Sequence, residues 1–186
     1  IGGATTGTVT VTNAVAITGS TAQATAALVT SGSLVEVTDA TVTINDTPTI
    51  TELNAIAAKT SGAVTATLAA NSLSNLGALT TESTDAITIT VSDADAVELT
   101  AANLSSLGGK TTGTVTVTNA VAISGTTDEV TAALVTAGTL VEVTDAAVTI
   151  SDTPTIAELN AIAAKTTGVV TATLAANSLS NLGALT

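Results

Sequence analysis

The 186-residue chain has no cysteine, histidine, methionine, tryptophan, tyrosine or phenylalanine. Without cysteine there are no disulfide staples and no thiolate metal sites. Without histidine the usual proton shuttle at neutral pH is missing. Without aromatic rings there is no stacking platform for nucleic-acid bases or for sugar faces. Basic residues are almost absent too: Lys59, Lys110 and Lys165 stand against fifteen acidic residues, for a net charge of −12. Such a surface repels phosphate backbones and anionic lipid headgroups, which argues against nucleic-acid binding. Long apolar runs are also lacking. The mean hydropathy is +0.59, yet runs such as Ala14–Ile17 stop far short of the roughly 20 residues a spanning helix needs. The expectation is a soluble chain with no membrane insertion.

What is present is repetition. The string TGTVTVTNAVAI occurs at Thr6–Ile17 and, unchanged, at Thr112–Ile123. A shift of 106 positions lays residues 1–80 on residues 107–186 with 14 differences, many of them Ser/Thr, Ile/Leu or Ala/Val exchanges. Gap-free copying of this kind marks a tandem duplication. The first long repeat is residues 1–106, and residues 107–186 are a second, truncated copy, expected to follow without a linker. Both ends fall inside the pattern, so the natural protein is expected to continue on both sides.

A finer period lies inside the long one. Alternating Thr or Glu with Val or Ile recurs at Thr8–Thr12, Leu34–Thr38, Ala63–Leu68, Ala86–Val91 and Thr114–Thr118. Alternation places one set of side chains on each face of a strand, and β-branched residues suit the pleat. Taking Val9, Val35, Val64, Ile87 and Val115 as equivalent gives steps of 26, 29, 23 and 28 residues. Helix starts are expected at the capping boxes Thr49–Glu52 and Thr155–Glu158, and in looser form at Ser20–Gln23, Asp95–Glu98 and Thr126–Glu129. Gly32, Gly62, Gly113, Gly138 and Gly168 read as helix C-caps, and Pro48 and Pro154 as residues placed just before a helix.

These signals predict a β-rich repeat solenoid with short helices. Parallel strands would stack in coils of about 26 residues, four per long repeat, with a curved or superhelical course. Tandem β-sandwich domains are the alternative. The core should be aliphatic, drawn from Val9, Val11, Leu53, Ile56, Val64, Leu68, Ile87 and Ile89 and their shifted copies.

No catalytic, cofactor-binding or metal-ligating residue stands out. A Ser or Thr nucleophile beside Lys59 or Lys165 is formally available, but these lysines sit where helices end and complement the dipole there. Asp93 and Asp95 resemble part of a calcium loop whose central glycine is missing, so Asp95 reads as a helix cap and Asp93 as a solvated residue. Calcium is the one candidate ion. Asp39, Asp46, Asp145 and Asp152 read as turn residues. Gly2-Gly3 and Gly108-Gly109 read as turns, since no phosphate-loop lysine pattern accompanies them. The outward positions vary from strand to strand (Thr8 and Thr10, then Glu36 and Thr38, then Thr88 and Thr90), unlike the uniform face an ice-binding plane needs.

The strings TGTVTVTNAVAI, LVEVTDA, ELNAIAAKT and SLSNLGALT together resemble the large repeat-built "β-strand repeat" adhesin-like surface proteins of cyanobacteria and related marine bacteria. That family includes the giant type associated with swimming without flagella. The resemblance spans the chain. It implies an extracellular, cell-surface location and a non-enzymatic structural, spacer or adhesive role, with self-association, neighbouring repeats or cell-surface glycans as partners. A ligand- or ice-binding repeat module and a polysaccharide-acting solenoid enzyme are the alternatives. The enzyme would require two carboxylates converging in a groove.

Overall fold

The computed structural model describes all 186 residues. Seven α-helices form: α1 (Thr21–Leu28), α2 (Ile50–Ala57), α3 (Leu73–Leu76), α4 (Ala101–Gly108), α5 (Thr127–Leu134), α6 (Ile156–Ala163) and α7 (Leu179–Leu182). Ser20, Thr49, Thr126 and Thr155 cap α1, α2, α5 and α6. Each cap hydroxyl accepts the N–H three residues on, and Gln23, Glu52, Glu129 or Glu158 reaches back to the cap's own N–H. Four of the expected boxes are therefore reciprocal pairs.

The fifth box, Asp95–Glu98, starts no helix. Glu98–Thr100 is a strand, Ala96 has a left-handed φ of 59°, and Asp95 accepts from the Ala120 N–H at 3.1 Å. The following helix, α4, is capped by Thr100, whose hydroxyl accepts from Asn103. The glycine C-caps also need correcting. Helices end on Val29, Ala58, Gly77, Gly109, Val135, Ala164 and Gly183, all right-handed, and no glycine has positive φ.

The chain divides into two compact units. The first comprises Ile1–Ala70, Ala78–Ile89 and Lys110–Thr114; the second comprises Asn71–Gly77, Thr90–Gly109 and Val115–Thr186. Neither coincides with a copy of the long repeat.

In the first unit, β1 (Val9–Val11) pairs with β3 (Val35–Val37) as a separate two-stranded ribbon. Strands β2 (Ala16–Gly19), β4 (Thr41–Ile44), β5 (Val64–Thr67) and β6 (Ala86–Val91, of which the part up to Ile89 belongs to this unit) follow one another across a parallel sheet. Ile17 stands opposite Val42, Val42 opposite Val64, and Ala66 opposite Ile87. Parallel neighbours require long crossovers, and α1 and α2 lie in two of them. In the second unit, β7 (Glu98–Thr100), β9 (Ala122–Gly125), β10 (Ala147–Ile150) and β11 (Val170–Thr171) form a parallel sheet, with Leu99 opposite Ile123, Ile123 opposite Val148, and Val148 opposite Val170. Strand β8 (Val115–Val117) meets the 142 region through a parallel bridge at Thr116 and Glu142.

The fold is thus α/β, and the expected four-coil repeat solenoid is corrected on two findings. The equivalence of Val9, Val35, Val64, Ile87 and Val115 fails: Val9 and Val35 pair in the ribbon, whereas Val64 pairs with Val42. The chain also separates into two units rather than one series of coils. The physical reason is that Thr/Val strings are interchangeable in pattern, so alternation identifies strands without saying which strand is the neighbour. Tandem β-sandwiches are excluded as well, because these strands pair in parallel, and sandwiches are antiparallel.

The core is aliphatic. Strand β4 buries Val42 and Ile44 and exposes Thr41 and Thr43; β5 buries Val64 and Ala66 and exposes Thr65 and Thr67. Leu53 and Ile56 of α2 are fully buried. In the second unit α4 packs on α5, burying Leu104, Leu107, Val130 and Leu134 beside Ile123 and Val148. Each such side chain contributes about 1.5–3 kcal/mol of burial. Of the expected core, Leu68, Ile87, Ile89, Val115, Val117 and Ile162 are buried too, while Val9, Val11, Leu159, Val170 and Leu174 are only half-buried.

Candidate functional site

Several of the carboxylates that chemistry would need hold one chain segment to another. Asp46 Oδ1 accepts both the backbone N–H (2.7 Å) and the hydroxyl of Thr21, the first residue of α1. Asp152 does the same for Thr127 at the start of α5, at 2.7 and 2.6 Å. Asp93 accepts the N–H of Leu73, the first residue of α3, at 2.7 Å. Helix N-termini leave unpaired N–H groups and attract negative charge, so these aspartates act as caps supplied from about twenty residues away or more. The bonds from Thr21 hold the Asp46 carboxyl below its usual range, hydroxyl first and backbone second, and Thr127 does the same for Asp152. Glu52 and Glu158 are lowered by Thr49 and Thr155, here chiefly through the backbone N–H.

The sequence pattern alone suggests turn residues at Asp46 and Asp152 and a solvated one at Asp93, where the structure places helix caps. Such local reading misses their long-range bonds because the partner lies outside any local window. It also misses a recurring Thr-x-Gly device. Thr60 donates its hydroxyl to Ala40 O and accepts the Gly62 N–H at 3.0 Å; Thr166 does the same with Ala146 O and Gly168. Thr111, buried, bonds the carbonyls of Asp85 and Ile87 and the N–H groups of Ile87 and Gly113. A Cβ on Gly62, Gly113 or Gly168 would fall inside the backbone of Ala40, Ile87 or Ala146 respectively. These glycines allow close approach, which is why they recur without capping helices. The signal was present in the sequence as TSG, TTG and TTG just before a valine strand.

The surface also carries concavities. One of about 720 Å³ is lined by Pro154, Ile156, Asn160, Leu174, Asn177 and Asn181 among others, with no ionisable side chain, so it offers contact and amide hydrogen bonds but no proton transfer. A second, of about 400 Å³, includes Glu82 and Asp85. A third, of about 340 Å³, includes Asp93 and Glu98. Carboxylates do share grooves, but three of these four hold structural bonds. Asp85 accepts from the Val64 and Glu82 N–H groups at 2.8 and 3.0 Å, Asp93 from Leu73, and Glu98 from the Ser124 hydroxyl at 2.8 Å.

Lys59 and Lys165 lie exposed just beyond α2 and α6, and Lys110 donates to Leu79 O at 2.6 Å. Gly2 opens a short 3-10 turn, while Gly108 closes α4. No three carboxylates are grouped so as to hold a metal ion, and no helix is long and apolar enough to cross a membrane. The outward threonines do align in rows, running across the strands rather than along them. In the second unit Thr100, Ser124, Thr149 and Thr171 are register partners across four strands, and in the first Thr18, Thr43 and Thr65 across three. No protein-family model, no curated protein and no solved structure matches the chain.

Proposed function

We propose that the chain is a non-catalytic structural segment of a cell-surface or fibre protein, serving as spacer or adhesive surface outside the cell. The observation that carries this reading is the use made of the reactive groups. Asp46, Asp85, Asp93 and Asp152 are spent on bonds between distant segments, and the concavity lined by Pro154, Asn160 and Asn181 holds no titratable group. With no imidazole, thiol or phenol, proton transfer would fall to carboxylates or to the three lysines. The acidic surface keeps neighbouring molecules apart, and calcium, as the one candidate ion, would relax that repulsion on exposed carboxylates. An antibody against the chain, applied to intact producing cells, tests the location: labelling without permeabilisation is expected, and signal only after permeabilisation overturns the reading.

A second reading, a water- or hydroxyl-binding face, is favoured by the Thr100–Ser124–Thr149–Thr171 row, whose members stand at the ~4.8 Å strand spacing. One hydroxyl of that row, Ser124, is diverted to Glu98. Thermal hysteresis in freezing solutions would support this face; its absence at high protein concentration removes ice as the ligand.

A further inference from the structure

In a chain of net charge −12, strands β2, β4, β5 and β6 of the first unit carry no charged residue. Their outward positions present Thr18, Thr41, Thr43, Thr65, Thr67 and Thr88, all exposed. The strand register joins these into a grid. Thr18 stands opposite Thr43, Thr43 opposite Thr65, and Thr67 opposite Thr88, while β4 and β5 each carry two threonines in alternate positions. The repeats are therefore ~4.8 Å across the strands and about 6.6 Å along them. None of the six hydroxyls is bonded within the chain, whereas Thr21, Thr60 and Thr111 use theirs on a carboxylate or a carbonyl. Strand pairing also keeps acidic residues off this face. Glu36 belongs to the separate β1–β3 ribbon, opposite Thr10, and Glu98 to the sheet of the second unit, where it takes the Ser124 hydroxyl. Outward positions that vary along the sequence thus become uniform here.

We propose that this grid is an ice-binding plane, its ligand the water lattice at the surface of an ice crystal. The proposal rests on the second reading above, a face that binds water, and assigns that face to the first unit. It is independent of whether the chain acts as a spacer. Ice is uncharged, and so is this face; a carboxylate there would hold its own hydration water in place of lattice water. The cross-strand repeat lies close to the shortest lattice repeat of hexagonal ice. Threonine suits such a contact because its β-branched side chain is stiff, so hydroxyl and methyl are in place beforehand and little freedom is lost on binding. A single bond to lattice water replaces one to liquid water at almost no net gain. The gain comes from many hydroxyls meeting one lattice together, which a grid in two directions provides and a single row does not.

The test is thermal hysteresis of the intact chain, together with its uptake into a slowly grown ice layer. The parent is expected to lower the freezing point below the melting point and to enter the ice rather than stay in the liquid. Thr65→Asp, in the middle of the grid, should abolish both, and Thr43→Asp on the neighbouring strand should do the same. Thr51→Asp places the same charge at an exposed position of α2, outside the sheet, and should leave both unchanged. Urea unfolding of each variant shows that the fold is kept. Loss with Thr149→Asp but not with Thr65→Asp or Thr43→Asp overturns the proposal and leaves the ice face in the second unit. Equal loss with Thr51→Asp overturns it too, since added charge anywhere would then suffice. A folded parent that shows no hysteresis and is excluded from ice overturns the proposal and the second reading together.

Discussion

The two identical stretches, 64–80 and 170–186, separate what a sequence dictates from what its neighbours add. Locally they are the same. Ser72 and Ser178 each cap a four-residue helix, accepting from Asn75 and Asn181 at 3.3 and 3.2 Å. Asn54 and Asn160 each donate to the carbonyl of Ala78 or Ala184 and accept the N–H of Thr80 or Thr186. Burial is not the same. Val64, Leu76 and Leu79 are at most 2% exposed, whereas Leu185 is 43% exposed and Val170 and Leu182 are half-buried. Caps, turns and clamps are properties of the string, but its share of the core depends on what is laid across it.

The widest split should come from charge. Val64→Asp buries a carboxylate beside Val42 with no partner, a loss of more than ~4 kcal/mol. Val170→Asp sits at a sheet edge with access to water and should cost only a fraction of that. Thr65→Asp, one residue along on the exposed face, should stay within ~0.5 kcal/mol. Urea unfolding of the three variants checks all of this, and equal damage at 64 and 170 would break the comparison.

Truncation gives the next largest difference. Leu73→Ala should cost about 2–4 kcal/mol through lost burial and the cavity left behind. Leu179→Ala, in the same helix position of the other copy, should stay within ~0.5 kcal/mol. The same measurement decides it; a matching loss at Leu179 would mean that it too is covered in solution.

Glycine sharpens the comparison by removing the difference. The contacts made with the preceding segment are present in both copies, so Gly62→Ala and Gly168→Ala should cost alike, about 1–3 kcal/mol, as each new methyl is driven into the carbonyl of Ala40 or Ala146. Gly32→Ala meets open space and should be neutral or slightly stabilising. Thermal unfolding reads both, and a silent Gly62→Ala would remove the close-approach role assigned to the Thr-x-Gly device.

These cases mark how far the sequence was legible. The Ser20, Thr49, Thr126 and Thr155 helix starts could be read because a capping box closes within four residues. The same rule failed at Asp95–Glu98, where pairing of Glu98–Thr100 with Ala122–Ser124 overrides the local signal. Strand positions were visible in the Thr/Val alternation. Strand partners were not, because Val35 and Val42 carry the same pattern and only one of them meets Val64. Gly62 and Gly168 looked like caps because the requirement at those sites comes from a carbonyl some twenty residues earlier. Of the candidate site, the lack of imidazole, thiol and phenol could be read from composition, but the long-range bonds of Asp46, Asp93 and Asp152 could not, since each partner lies twenty or more residues away.

The smallest effect expected is a matched one, at Asp46 and Asp152. Both carboxyls are held below their usual range by a threonine at a helix start, so each stabilises the fold only while ionised. A group with a depressed folded pKa contributes fully above its unfolded value, near 3.8 for these aspartates, and loses that contribution as the pH falls through the folded value. Acid also relieves the repulsion of a −12 chain, which acts on every variant in common. The informative quantity is therefore the gap in melting temperature between the parent and Asp46→Asn or Asp152→Asn. It should be widest near neutral pH and shrink as the pH is taken from about 6 to below about 3. Because both aspartates meet their threonines in the same way, the two variants should trace the same curve. A gap that ignores pH would show the bond to be indifferent to charge, and a gap at only one site would show that the two copies differ in more than what covers them.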